Sequence, residues 1–127
     1  MSDVTLAEEV LERLQAHNPR FNPRSYLLVL AALHNVMGRL GVPRHITGYE
    51  LSEGVRDLAL ERFGLLAKTV LEYWGIHTTD HLGEIVFDLV ECGVLVKQEG
   101  DRMEDFRNLF DFDEAFVSGY PWGAQIQ

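Results

Sequence analysis

The sequence predicts a mainly α fold with a winged-helix-like C-terminal half, on three observations. Apolar residues recur at three- and four-residue spacing through five stretches, each bounded by a capping residue, a glycine or a proline. From Phe63 to Gln98 the order reads helix, tight turn, helix and then an apolar run rich in β-branched residues, Val94-Leu95-Val96. A chain of 127 residues with 46% apolar and 24% charged residues has the size and balance of one domain with a core. The expectation is about five helices and a β-hairpin. They form a single helical domain over residues 1–117, a winged-helix-like core at 48–112 and a C-terminal tail at 118–127.

The first helix is expected over residues 3–16, where Ala7, Val10, Leu11 and Leu14 make one apolar face. Ser2 or Asp3 can cap it, and Glu8, Glu9 and Glu12 suit the positive end of its dipole. Pro19 and Pro23 stop it, and Phe21 between them is expected to plug the loop onto the core. The second helix, over 24–40, is apolar around most of its circumference. Tyr26, Leu27, Leu30, Leu33 and Met37 share one face, while Leu28, Val29, Ala32 and Val36 widen it. Such a helix is either central or an interface, so a homodimer through residues 26–40 is one expectation. Gly41 and Pro43 end it.

Thr47 and Glu50 have capping-box spacing and open the third helix, whose inner face carries Leu51, Val55, Leu58, Ala59 and Phe63. Gly54 costs about 1 kcal/mol there relative to alanine, which predicts that another element approaches closely. A fourth helix over 65–74 is expected to bury Leu66, Val70, Tyr73 and Trp74. Thr78 or Thr79 caps the fifth, with Leu82, Ile85, Val86, Leu89 and Val90 as its buried stripe. Gly93 closes it. Val94 to Lys97 reads as a strand, Glu99 to Arg102 as a turn, and residues 108–112 as the return strand, with 103–106 as a competing register. Residues 113–116 read as a last helical turn, and Tyr120-Pro121-Trp122 as a tail that docks or hangs free.

The net charge is -9 and is unevenly spread. Residues 1–49 hold five arginines against four carboxylates, which leaves -10 for the remainder. An acidic body repels phosphate, which disfavours nucleic acid and favours a basic protein partner. No apolar run approaches the roughly 20 residues of a membrane span, and the acidic N-terminus lacks a signal-peptide layout. The single Cys92 has no internal disulfide mate, so a reducing, cytoplasmic setting is expected.

His81, Glu84, Asp88 and Glu91 recur at helical spacing opposite the apolar stripe of the fifth helix, and Glu53, Asp57 and Glu61 do so on the third. These two acidic rows are the candidate protein-binding residues. The same stretch supplies the metal candidates, His77, His81 and Glu84, but no HExxH or cysteine cluster accompanies them. No metal or other cofactor is assigned on that basis, and a divalent-metal-dependent enzyme is the weakest reading. Winged-helix order suggests a DNA-binding regulator as an alternative, although base readout leans on Arg, Lys, Asn or Gln rather than carboxylates. His45 with Glu50 and His77 with Asp80 are acid–base equipment in type. With no GxSxG, Walker loop or GxGxxG present, no catalytic residue is assigned and the expectation is a non-catalytic interaction module.

Several phrases read together as a family pattern: Arg44-His45-Ile46-Thr47-Gly48, Asp57 to Gly64, Trp74-Gly75-Ile76-His77 and Gly83 to Phe87. Gly93-Val94-Leu95, Glu104-Asp105-Phe106 and Asp111 to Phe116 continue it. In these the chain resembles the bacterial verruco/plancto repeat family, over about residues 4–117. The resemblance implies no activity, substrate or catalytic residue, and it licenses no solenoid.

Overall fold

A computed structural model describes residues 7–42, 44–96 and 102–118. It is mainly helical, with α1 (Glu8–His17), α2 (Pro23–Gly38), α3 (Gly48–Phe63), α4 (Ala67–Tyr73) and α5 (Thr79–Glu91). Among the described residues there is no strand. The proposed caps Ser2 and Asp3, Lys97 at the end of the expected strand, residues 99–101 of the expected turn, and the tail beyond Ser118 lie outside the described residues.

α2 is the centre of the molecule. Asn22 accepts a hydrogen bond from the Arg24 N–H, and Pro23 takes the first helical position, where no N–H is needed. Tyr26, Leu28, Val29 and Ala32 are fully buried, and α1, α3 and α5 all pack on this helix. Much of its apolar surface is therefore spent inside the chain, while Met37 stays exposed and Leu33 is only partly buried. Gly54 of α3 sits against it as its position in the sequence implied: an added Cβ there would lie 2.5 Å from Val36 Cγ2.

α3 begins with the complete capping box. Glu50 N–H donates to Thr47 Oγ1 at 3.1 Å, and Thr47 N–H donates to Glu50 Oε1 at 2.9 Å. It buries Leu51, Val55, Leu58 and Ala59. The next helix departs from expectation. Gly64–Leu66 forms a 3₁₀ turn before α4, and its tighter winding rotates the following face. Ala67 and Leu71 are buried, while Leu66 and Tyr73, expected inside, are exposed.

The winged-helix and hairpin expectation is corrected at both of its strands. Past α5, Gly93 takes a positive φ of 80°, and the Val94 and Leu95 N–H groups both donate back to the Leu89 carbonyl, at 2.8 and 3.2 Å. These donors close the helix end, as in a Schellman-type stop, and are lost to any ladder. The competing register, Met103–Phe106, is a 3₁₀ turn. The return strand fails for a similar reason: Asn108 N–H donates to Asp80 Oδ1 at 2.8 Å and Leu109 N–H to Thr79 Oγ1 at 3.0 Å.

Two glycines hold that 3₁₀ turn in place. A Cβ at Gly83 of α5 would lie 2.8 Å from Phe106 Cβ, and one at Gly48 of α3 would lie 2.7 Å from the Asp105 carbonyl oxygen. Phe106 is buried in consequence. Beyond it, Glu114–Ser118 makes a π-helical turn that packs on α3 and α4 through Phe116. α5 thus packs against α1, α2, α3 and the 3₁₀ turn.

Candidate functional site

The sequence placed four polar residues along one face of α5, and the structure divides them. Asp88 is buried rather than solvated. Its Oδ2 accepts from the Tyr26 hydroxyl at 2.9 Å and from Asn18 Nδ2 at 3.0 Å, and His17 Nε2 lies 3.4 Å from its Oδ1. Burial, then the hydrogen bond to Asp88 and that carboxylate's charge, push the Tyr26 hydroxyl well above the ordinary tyrosine range. One turn earlier, Glu84 pairs with Arg20 and accepts from Asn18 Nδ2 at 3.3 Å. Arg20 also lies 5.2 Å from the centre of the Phe21 ring. The loop after α1 is therefore bolted to α5 by the acids expected to meet a partner. Phe21, fully buried, plugs it as the prolines around it suggested.

His81 completes this flank. Its Nδ1 accepts the His77 backbone N–H at 2.9 Å, and its ring meets Phe21 edge-on at 5.7 Å. Burial, and then the Arg20 charge, lower its pKa below the ordinary histidine value. Of the metal candidates, His81 has thus committed one ring nitrogen and Glu84 is paired with arginine. Among the described residues no group of three His, Cys, Asp or Glu side chains is placed to hold a metal ion. Glu91 is exposed at the helix end.

The row on α3 is partly self-paired. Asp57 Oδ1 lies 3.0 Å from Arg56 Nη2, and Glu53 Oε2 lies 3.9 Å from the same nitrogen. Glu61 is exposed. Nor do the two acid–base pairs form. Arg44 takes Glu50 in a two-pronged bond at 2.9 and 2.7 Å, and this pairing, with the Thr47 N–H, holds the Glu50 carboxyl down at about 2. Asp80 accepts from Asn108, while His77 Nδ1 faces Glu72 at 4.0 Å.

The opposite flank of α5 is open. Between it, the end of α2, the start of α3 and the Met103–Phe106 turn lies a groove of about 550 Å³. Its apolar wall includes Leu33, Ile46, Leu51, Val86, Val90 and Phe106. Met37, 56% exposed, and Val96, 83% exposed, extend it outward. Arg44, His45, Arg102 and Asp105 are its charged and titratable lining groups. Asp105 is engaged locally, accepting the Arg102 backbone N–H at 3.1 Å. A smaller polar cleft of about 280 Å³ lies near Lys68, His77 and Asp111. There Lys68 is already bound by Glu72 at 3.0 Å and by Asp113 at 3.2 Å.

An apolar trough of this size with a few polar groups at its mouth is the usual form of a binding site. Nothing in the spacing announces it, because its walls come from five separated segments. Gly48 and Gly83 are the signals that were present: each marks where the 3₁₀ turn comes close enough to form the groove's end. No family model, curated protein or solved structure matches the chain. The family resemblance therefore contributes nothing to the reading of this site.

Proposed function

We propose that the chain is a non-catalytic interaction module that seats an apolar segment of a protein partner in the groove beside α5. The observation that carries this reading is the groove itself: about 550 Å³, apolar-walled, and continued onto the surface by Met37 and Val96. Large side chains left exposed around an apolar trough mark recognition surfaces, and methionine suits them because its unbranched chain adapts to what it meets. The acidic rows contribute less than their spacing promised. Glu84 and Asp88 are held within the chain, and Glu53 and Asp57 lean on Arg56.

The test is selection of a random peptide library on the immobilised chain, counter-selected against a Met37→Glu/Val96→Glu double variant. Both positions are exposed, so the variant keeps its stability within about 0.5 kcal/mol. Enrichment of peptides with spaced apolar anchors that bind the wild type and not the variant supports the proposal. Enriched peptides that bind both chains equally, or no enrichment at all, overturn it.

A further inference from the structure

Three segments meet at one joint: the loop after α1, the turn between α4 and α5, and the first turn of α5. The Trp74 carbonyl oxygen accepts the Asn22 N–H at 3.0 Å and the Ser25 hydroxyl at 3.3 Å. Gly75, at a φ of 102°, lies so close to the loop that an added Cβ would stand 2.6 Å from the Arg20 carbonyl oxygen. Phe21, fully buried, fills the joint, and His81 meets its ring edge-on. The turn is tied to α5 by the bond in which His81 Nδ1 accepts the His77 N–H.

That bond exists in only one protonation state. With Nδ1 as acceptor, the single ring proton sits on Nε2. A second proton can go only to Nδ1, where it turns the acceptor into a donor aimed at another donor. The surroundings also oppose a cation. His81 is partly buried in the first turn of α5, at the positive end of the helix dipole. Arg20 from the loop and His77 from the turn face it, and Glu72 of α4 stands 4.0 Å behind the His77 ring. Glu84 and Asp80 of α5 pull the other way, but Glu84 is paired with Arg20 and Asp80 accepts the Asn108 N–H. Burial and then the Arg20 charge prevail over the two carboxylates, and the ring is held below the ordinary histidine value.

We propose that His81 is an acid-released latch: on protonation its ring lets go of the His77 amide, and the α4–α5 turn loosens from the loop that carries Arg20 and Phe21. The latch lies on the closed flank of α5 and does not depend on what the groove binds. Because the folded ring is harder to protonate than the unfolded one, its contribution is fully present above about pH 6.5. It is lost as pH falls through the window below that value. Phe21 is the group that release uncovers.

The control is His81→Asn, whose side-chain oxygen can take the His77 N–H and does not titrate. Hydrogen exchange at the His77 amide, the His81 ring and the Phe21 ring signals are followed by NMR from about pH 7.5 to about pH 4.5. Every other histidine is common to the two chains, so the difference between them reports His81 alone. In the wild type, protection of the His77 amide, corrected for the intrinsic rate, should fall about tenfold across that range and stay level in His81→Asn. Within the wild type alone, the His81 ring, the His77 amide and the Phe21 signals should share one midpoint, below about 6.5. Protection that falls in parallel in the two chains overturns the latch. So does a His77 amide indifferent to the titration of the His81 ring, or a ring that titrates at or above about 6.5.

Discussion

The two flanks of α5 treat the same helix in opposite ways. On one, Asp88, Glu84 and His81 are drawn into a seam with Tyr26, Asn18, His17 and Arg20, closed by the buried Phe21. On the other, Val86 and Val90 look into a groove that no described segment fills. The polar flank is built for cohesion, because a buried carboxylate is tolerated only when several donors meet it. The apolar flank leaves apolar area facing water, and any burial of that area would be favourable. Charge spacing on a helix face thus does not by itself mark that face as solvated.

The largest expected effect lies on the closed flank. Replacing Asp88 with alanine leaves the fully buried Tyr26 hydroxyl without its acceptor and the Asn18 amide with Glu84 alone. Stability should fall by about 3 kcal/mol in urea unfolding. Tyr26→Phe combined with Asp88→Ala should cost much less than the sum of the two single changes, since the orphaned hydroxyl is then gone. Additive costs would show that the seam contributes no cohesion of its own.

On the open flank the expected effect is smaller. Gly83→Ala puts a methyl 2.8 Å from Phe106 Cβ. Overpacking of about 2 kcal/mol is partly offset by about 1 kcal/mol of helix propensity. A net loss of about 1 kcal/mol is predicted, with a changed Phe106 environment in NMR spectra. A gain in stability would mean that the 3₁₀ turn is not held against α5. Ser52 on α3 sharpens the contrast further. Its hydroxyl is buried with no hydrogen-bond partner among the described residues, so Ser52→Ala should be neutral or stabilising by up to about 1 kcal/mol, unlike the satisfied polar groups of the seam.

The smallest effect is a titration. The Glu50 carboxyl stands at about 2 when folded, against 4.5 for the unperturbed group. Its contribution is therefore fully present above the unfolded value and is lost as pH falls from about 4.5 toward about 2. The urea midpoint of the wild type should converge on that of Glu50→Gln across this window. A constant gap between the two would remove the Arg44–Glu50 pair from the groove mouth.

Much of the helical frame was legible because it is written in local chemistry. Thr47 with Glu50, Asn22 before Pro23 and Thr78 before α5 are caps whose partners lie two or three residues away. Gly54 announced a close approach and Phe21 a plug. What failed was nonlocal or a matter of phase. Val94-Leu95-Val96 has strand composition, but the first two N–H groups return to Leu89. Tyr73 has core spacing, but the 3₁₀ turn at Gly64–Leu66 rotates it outward. Asp88 shares its periodicity with more exposed residues, and its partners Tyr26 and Asn18, 62 and 70 residues earlier, make it internal. The groove draws on the same distant pairings and so was invisible to a reading based on spacing.

The most direct test of this division is a methyl and amide NMR titration of the chain with a peptide enriched from the library on the wild-type chain. The largest shifts should fall on Met37, Val86, Val90 and Val96, with Asn18, His81, Glu84 and Asp88 unmoved. Shifts centred on His81, Glu84 and Asp88, with the groove methyls unchanged, would contradict it.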